Sequence, residues 1–150
     1  MKPVEVTQEV TMEFADVTPF LQEQHRGVVT TFKKSGLAQM SILVCGPYKG
    51  TVAFVIRSDT AKLVNLRRDP RCSVLVVKSD WSDYAVLSGR ATIHDWSDTD
   101  HETLRVMLRE VFIAAGGNHD NWGEYDRVMR EERRAVIMVK PEIVFGHRVG

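Results

Sequence analysis

From Arg57 to Lys62 the chain reads Arg-Ser-Asp-Thr-Ala-Lys, where hydroxyls, cations and a helix-opening pattern coincide. Ser58, Asp59 and Thr60 are helix-capping residue types, and Asp69-Pro70 ends the short helix one or two turns later. A helix start leaves backbone N–H groups without intrahelical acceptors, so Arg57 and Lys62 beside one make a place where a phosphate can sit. The same residues also suit a basic, solvated turn. Other chemistry is harder to assemble. There is no GxSxG, HExxH or CxxC pattern, which removes the usual signatures of hydrolases, zinc proteases and thiol redox pairs. The five histidines, His25, His94, His101, His119 and His147, lack ligand spacing, so no metal centre is expected. His119 beside Asp120 in GGNHDNW is a candidate acid or base, against the plainer reading of an exposed loop histidine. Asp80, Asp83, Asp95, Asp98 and Asp100 read as turn and cap formers. A phosphate cradle without a nucleophile points to reactivity carried by a bound cofactor.

The elements that must position this cradle are mostly strands. Val52 to Lys78 reads strand, basic crossover, strand. Upstream, Thr18-Pro19 predicts a helix over 18–25 with Thr18 as cap and Pro19 at the first helical position. Gly27 to Phe32 and Leu37 to Val44 are strands around the turn Lys-Lys-Ser-Gly, and Pro47 to Gly50 is a second turn. Thr51 to Ile56, Cys72 to Lys78 and Tyr84 to His94 follow, with Gly89 marking a bulge or bend in the last. Tight turns imply that the first three strands pair with their neighbours antiparallel. From Asp98 the period changes. A Thr99/Glu102 capping box precedes Leu104, Met107, Leu108, Val111, Phe112 and Ala115 at helical spacing. Gly116-Gly117-Asn118 breaks that helix, and Trp122, Tyr125, Val128 and Met129 stripe a second. Ala135 to Val139 and Ile143 to Val149 read as two closing strands around Lys140-Pro141. The expected class is mainly β: one domain over 1–150, a barrel of about seven strands with three or four peripheral helices.

Composition agrees with a self-sufficient core. Of 150 residues, 43% are hydrophobic and 27% charged, enough to fold without a metal or disulfide staple. Cys45 and Cys72 read as buried thiols. Zero formal net charge argues against nucleic acid as the main ligand. No apolar leader or bilayer-length run is present, so a cytoplasmic, membrane-free protein is expected.

The blocks GVVTTFKKSGLAQMSI, TAKLVNLRRDPRCSVLV and YAVLSGRATI resemble, in that order, the pyridoxamine 5'-phosphate oxidase-like split β-barrel superfamily. The ending DNWGEYDRVMREERRAVIMVKPEIVFG is similar to the branch that uses the deazaflavin coenzyme F-420. The resemblance implies an FMN-binding-like split barrel and a homodimer with the cofactor in a groove at its interface. It implies a cofactor-binding set of Thr31, Gln39, Met40, Ser41, Arg57, Ser58, Thr60, Lys62 and Asn65, with Lys62 at the phosphate. Trp81, Ser82 and Tyr84 would approach cofactor or substrate across the dimer; the proton would come from solvent or from Tyr84, whose plainer reading is a strand aromatic. Lys33, Lys34, Lys49, Arg67 and Arg68 would meet an acidic cofactor tail; for Arg67 and Arg68 a solvated helix face is the competing reading. The chain departs from the family where relatives read DG-x-P and this one has Ser35-Gly36-Leu37-Ala38, and where relatives carry cations at the positions of Thr60 and Val64. The implied activity is hydride transfer from reduced coenzyme F-420 to an electron-poor small molecule. The alternatives are an FMN oxidoreductase on the same fold and a non-catalytic cofactor- or haem-binding protein.

Overall fold

The structure is a computed structural model, described here for residues 11–147. Eight strands and four helices run β1 (Thr11–Met12), α1 (Phe14–Glu23), β2 (Arg26–Phe32), β3 (Ala38–Val44), β4 (Gly46–Tyr48), β5 (Thr51–Arg57), α2 (Ala61–Arg68), β6 (Arg71–Val77), β7 (Tyr84–His94), α3 (His101–Ala114), α4 (Trp122–Glu131) and β8 (Arg134–His147). All pairings are antiparallel, in the order β3-β2-β6-β7-β8-β5-β4, with β1 added to β8. The sheet curls as a split barrel.

Only the first of the two expected neighbour pairings forms. β2 and β3 make a hairpin, with Thr31 opposite Gln39, whereas Thr51 to Arg57 pairs with β4 and β8. The chain leaves β3 through Cys45, whose N–H donates to the His25 carbonyl at 2.7 Å, and crosses to the far end of the strand order. The expected turn at 47–50 is correspondingly shorter. Gly46–Tyr48 is a strand, and only Lys49-Gly50 turns, at φ 49° and 77°. That two-residue, doubly left-handed geometry matches the right-handed twist of a hairpin.

The two closing strands are one. β8 runs unbroken through Lys140-Pro141 because it pairs with β5 over its first half and β7 along nearly its whole length. Residues 148 and 149 of the expected strand lie outside the described residues. The irregularity anticipated at Gly89 is present, but the extra residue, Glu142, belongs to β8: Ser88 faces Ile143 and Gly89 faces Pro141. A Cβ at Gly89 would lie 1.8 Å from the Lys140 carbonyl oxygen, so only glycine allows this approach.

Helix starts also differ locally. α1 begins at Phe14, where the Glu13 N–H donates to the Asp16 carboxylate at 3.0 Å. Thr18 is interior, and its hydroxyl donates to the Phe14 carbonyl at 2.9 Å. Pro19 sits within the helix, where its missing N–H leaves the Ala15 carbonyl without that partner. Burial of Val17 and Leu21 in the barrel interior outweighs the local proline signal. Asp100 rather than Thr99 caps α3, accepting from the Thr103 N–H at 3.0 Å.

Two cores result. Inside the barrel, Val29, Phe54, Val74, Val76, Leu87 and Ile137 pack with Leu21 of α1 and with Leu63 and Leu66 of α2. Outside it, Leu104, Leu108 and Val111 of α3 and Tyr125 of α4 cover Ala53 and Val136. Asp126 clamps the helix pair by accepting from Arg109 Nε at 2.8 Å and Arg105 at 3.3 Å, bonds that hold its carboxyl below the usual range. Cys45 and Cys72 are buried free thiols, each pushed up to about 12 by burial.

Candidate functional site

α2 is the element around which the expected residues gather. Thr60 occupies its capping position, yet the Thr60 hydroxyl turns back to the Arg57 carbonyl at 2.9 Å, and no side chain caps the helix. Among the described residues no acceptor takes the N–H groups of Ala61, Lys62 and Leu63. Lys62, half-buried on the first turn, has no ion pair or hydrogen bond among the described residues. Arg57 is engaged: its guanidinium meets Asp59 at 3.2 and 3.4 Å. The Ser58 N–H donates to the Arg133 carbonyl at 2.9 Å, tying the loop to the start of β8. The free donors at this end are therefore three amides and one ammonium, a set suited to an oxyanion.

One turn further along α2, three expected residues meet directly. The Asn65 side-chain amide donates to Thr31 Oγ1 at 3.2 Å and to Gln39 Oε1 at 2.6 Å. Its own oxygen accepts from Arg68 at 3.1 Å, while Arg68 also donates to the Phe32 carbonyl at 2.6 Å. Thr31 and Asn65 are buried, so these bonds satisfy groups that would otherwise be costly to bury. The node fixes α2 against β2 and β3 and so aims its N-terminus. Arg68 thus serves the fold. Arg67 pairs with Asp95, whose burial alone would raise its carboxyl; bonds from Ser97 and the Arg67 charge outweigh that and lower it.

The strand register sorts the rest onto two faces. Ser41 shares the inward face of Gln39, whereas Met40 points outward with Ile42 and Val44. That outward face continues across five strands: Ile42, Val28, Leu75, Val86 and Phe145 lie in one row, and Met40, Thr30, Ser73, Ser88 and Ile143 in the next. The hydroxyls of Ser73 and Ser88 lie 2.7 Å apart. A cavity of about 270 Å³ opens on this face between Val28, Ile42, Leu75, Val77 and Trp81. Trp81 is 79% exposed, at φ 67°, on a loop closed by the Lys78 N–H to the Asp83 carbonyl at 2.9 Å and by Ser82 to Asp80 at 2.6 Å. Tyr84 begins β7 with its ring stacked on His147.

Trp81, Ser82 and Tyr84 are not brought to α2 within one chain. The seven residues of β6 separate the Trp81 loop from the C-terminal end of α2, about 23 Å at strand rise. Sequence reasoning did not single out Ser73, Ser88 or the outward Val28 and Leu75, which the strand register places on this open face. Their signal was there: β2 and β6 are apolar on both faces, though only one can face the barrel interior. His119 is drawn into an aromatic cluster with Phe112, Trp122 and Tyr125, and its Nδ1 accepts from the Asn121 N–H at 2.9 Å, which is a structural role.

The fold recurs in solved structures. A conserved hypothetical protein of Mycobacterium tuberculosis superposes with a TM-score of 0.70 at 20% identity, covering 97% of this chain and 92% of that one. A protein described as an F-420 reductase gives 0.63 at 15% identity, with 84% and 93% covered. A pyridoxamine 5'-phosphate oxidase-related, FMN-binding protein of Nostoc punctiforme gives 0.61 at 13% identity, with 86% and 77% covered. No helix among the described residues is long and apolar enough to cross a membrane. Residues 15–148 match the family model described as pyridoxamine 5'-phosphate oxidase, and with the split barrel built around α2 this chain belongs to that family.

Proposed function

We propose that this protein is an oxidoreductase that binds a phosphorylated deazaflavin, coenzyme F-420, at a homodimer interface and reduces an electron-poor small molecule. FMN is the alternative cofactor. The observation that carries the reading is the uncapped start of α2, where three N–H groups without an acceptor and a cation without a partner, among the described residues, lie side by side. Such a set has little use in a closed fold and fits a cofactor phosphate. The bound cofactor supplies the hydride; the chain supplies position, shielding and charge.

Each group of residues has a role in this reading. Lys62 and the first-turn amides of α2 hold the phosphate, with Ser58 and Thr60 shaping the loop and Arg57 at its edge. Thr31, Gln39 and Asn65 hold α2 in place, so they act as positioning residues. The outward face of β3, β2 and β6, with Met40 on it and Ser41 behind, offers an apolar wall against which a ring lies flat and from which water is excluded. Trp81, Ser82 and Tyr84 stand a strand length from the C-terminal end of α2, so in this reading they reach the ligand held by a second copy of the chain. Tyr84 or solvent delivers the proton that completes reduction. The F-420 reductase among the structural neighbours supports the first cofactor, and the FMN-binding neighbour supports the alternative.

Fluorescence titration with coenzyme F-420 and, separately, FMN tests the proposal. Tight F-420 binding that Lys62→Ala weakens by about 1.5–3 kcal/mol is the expected result. Preference for FMN assigns the alternative. Binding of neither, by a folded protein, rejects both and favours a non-catalytic module.

A further inference from the structure

We infer that a second oxyanion site lies in the cleft where the loop before α2, the loop before α3 and the turn from α4 into β8 meet, built on Arg130 and Arg133. The cleft has a volume of about 480 Å³ and is lined by Ser58, Trp96, His101, Arg130 and Arg133, among others.

Charge accounting distinguishes this place from the rest of the helical face. Arg105 and Arg109 engage Asp126, Arg127 engages Glu124 and Glu131, and Arg134 engages Glu132. Arg130 and Arg133, on the same stretch of chain, have no ion pair and no side-chain hydrogen bond among the described residues. Acidic groups nearby are already committed. Asp95, in the wall, accepts from Arg67, from the Ser97 N–H at 2.9 Å and from the Ser97 hydroxyl at 2.6 Å. Asp59 senses the Arg133 charge but is bonded to Arg57. Two guanidiniums with no ion pair among the described residues thus line one cavity.

Their placement is held by the fold. Arg133 adopts a left-handed φ of 51°, uncommon for a residue with a side chain, between its N–H bond to the Arg130 carbonyl at 3.1 Å and its carbonyl bond from the Ser58 N–H. The Arg130 guanidinium sits 5.7 Å from the centre of the Trp96 ring, a distance at which the ring face holds the cation. Trp96 is in turn braced by His101, whose Nε2 lies 3.0 Å from the Trp96 carbonyl. Fork-shaped donors in fixed positions recognise planar carboxylate and tetrahedral phosphate groups alike, so the ligand is a small molecule carrying one of these. The site shares only the Ser58 loop with the α2 cradle and stands whether or not a deazaflavin binds there.

Titration of the full chain with inorganic phosphate and with citrate, at low ionic strength, tests this by calorimetry and by the three tryptophan indole N–H resonances, with Trp96 identified through Trp96→Phe. Binding is expected to move the Trp96 resonance and to weaken about ten-fold or more in Arg130→Gln and in Arg133→Asn. Asparagine is chosen because it tolerates the left-handed backbone. Lys62→Ala removes the α2 cradle's contribution to the heat and is expected to leave the Trp96 resonance shift and its midpoint unchanged. Tighter citrate assigns a carboxylate ligand and tighter phosphate a phosphoryl ligand. Absence of binding, or binding that Lys62→Ala abolishes while both arginine variants retain it, overturns the inference.

Discussion

The outward faces of two halves of the sheet have nearly the same chemistry and opposite fates. On β5 and β8, Ala53, Val55, Val136 and Met138 lie beneath α3 and α4. On β3, β2 and β6, Ile42, Val28 and Leu75 stand in a row with no element over them among the described residues, and Ile42 is 81% exposed. An aliphatic side chain left fully in water forgoes about 1.5–3 kcal/mol of burial; Ile42 is exposed and Val28 and Leu75 are half-buried, so the row is an apolar surface open to docking. The covered half needs only its own helices. The open half is the one that a second copy and a cofactor ring would complete.

Placing a charge on the open half has the largest expected effect. Sedimentation velocity of the native chain should show the proposed homodimer, and Ile42→Asp should convert it into a folded monomer at micromolar concentration; a native monomer removes the proposed dimer, and a dimer unchanged by Ile42→Asp moves the interface elsewhere. The matching change on the covered half is Leu108→Ala, which should cost about 2–5 kcal/mol of stability in denaturant unfolding while leaving the native chain's association state as it is. If Leu108→Ala instead lowers association while leaving stability intact, the contrast between the halves fails. Asn65→Ala tests the node that fixes α2 against β2 and β3. Losing its bonds to Thr31 and Gln39 should cost about 1–3 kcal/mol and weaken cofactor binding through a misplaced α2, whereas Lys62→Ala should weaken binding with stability unchanged. The smallest effect is a pH dependence at the far end of α2. Asp69 is bonded by Arg71 and held at about 2. Its folded-state value is depressed below the unfolded one near 3.9, so its contribution is present above about pH 4 and lost as pH falls toward 2. Acid unfolding of Asp69→Asn should be slightly flatter in that window, and an identical curve would mean that exposure screens the pair completely.

Legibility in the sequence followed the range of the interactions. The α2 crossover was readable because its capping types, cations and terminating Asp69-Pro70 act within a few residues of one another. The turn at Gly36 and the second helix at Trp122 were readable for the same reason. Thr18-Pro19 misled because proline favours a helix start locally, while Val17 and Leu21 gain more by entering the barrel interior as part of a helix already begun at Phe14. Lys140-Pro141 misled similarly, since β8 accommodates its proline beside a bulge at Glu142 and opposite a glycine.

By itself the sequence determined the period of most segments, the family resemblance and the cluster of capping residue types and cations at the start of α2, because residue type and near-neighbour spacing suffice for all of these. Only the tertiary structure decided that Asn65 would bond Thr31 and Gln39, that β5 would pair with β8 rather than β3, and which apolar sheet face the helices would cover. Those choices join residues 26 to more than 80 positions apart. Closing such loops depends only weakly on their length, so local spacing carries no record of the partner, and burial of the whole sheet makes the selection.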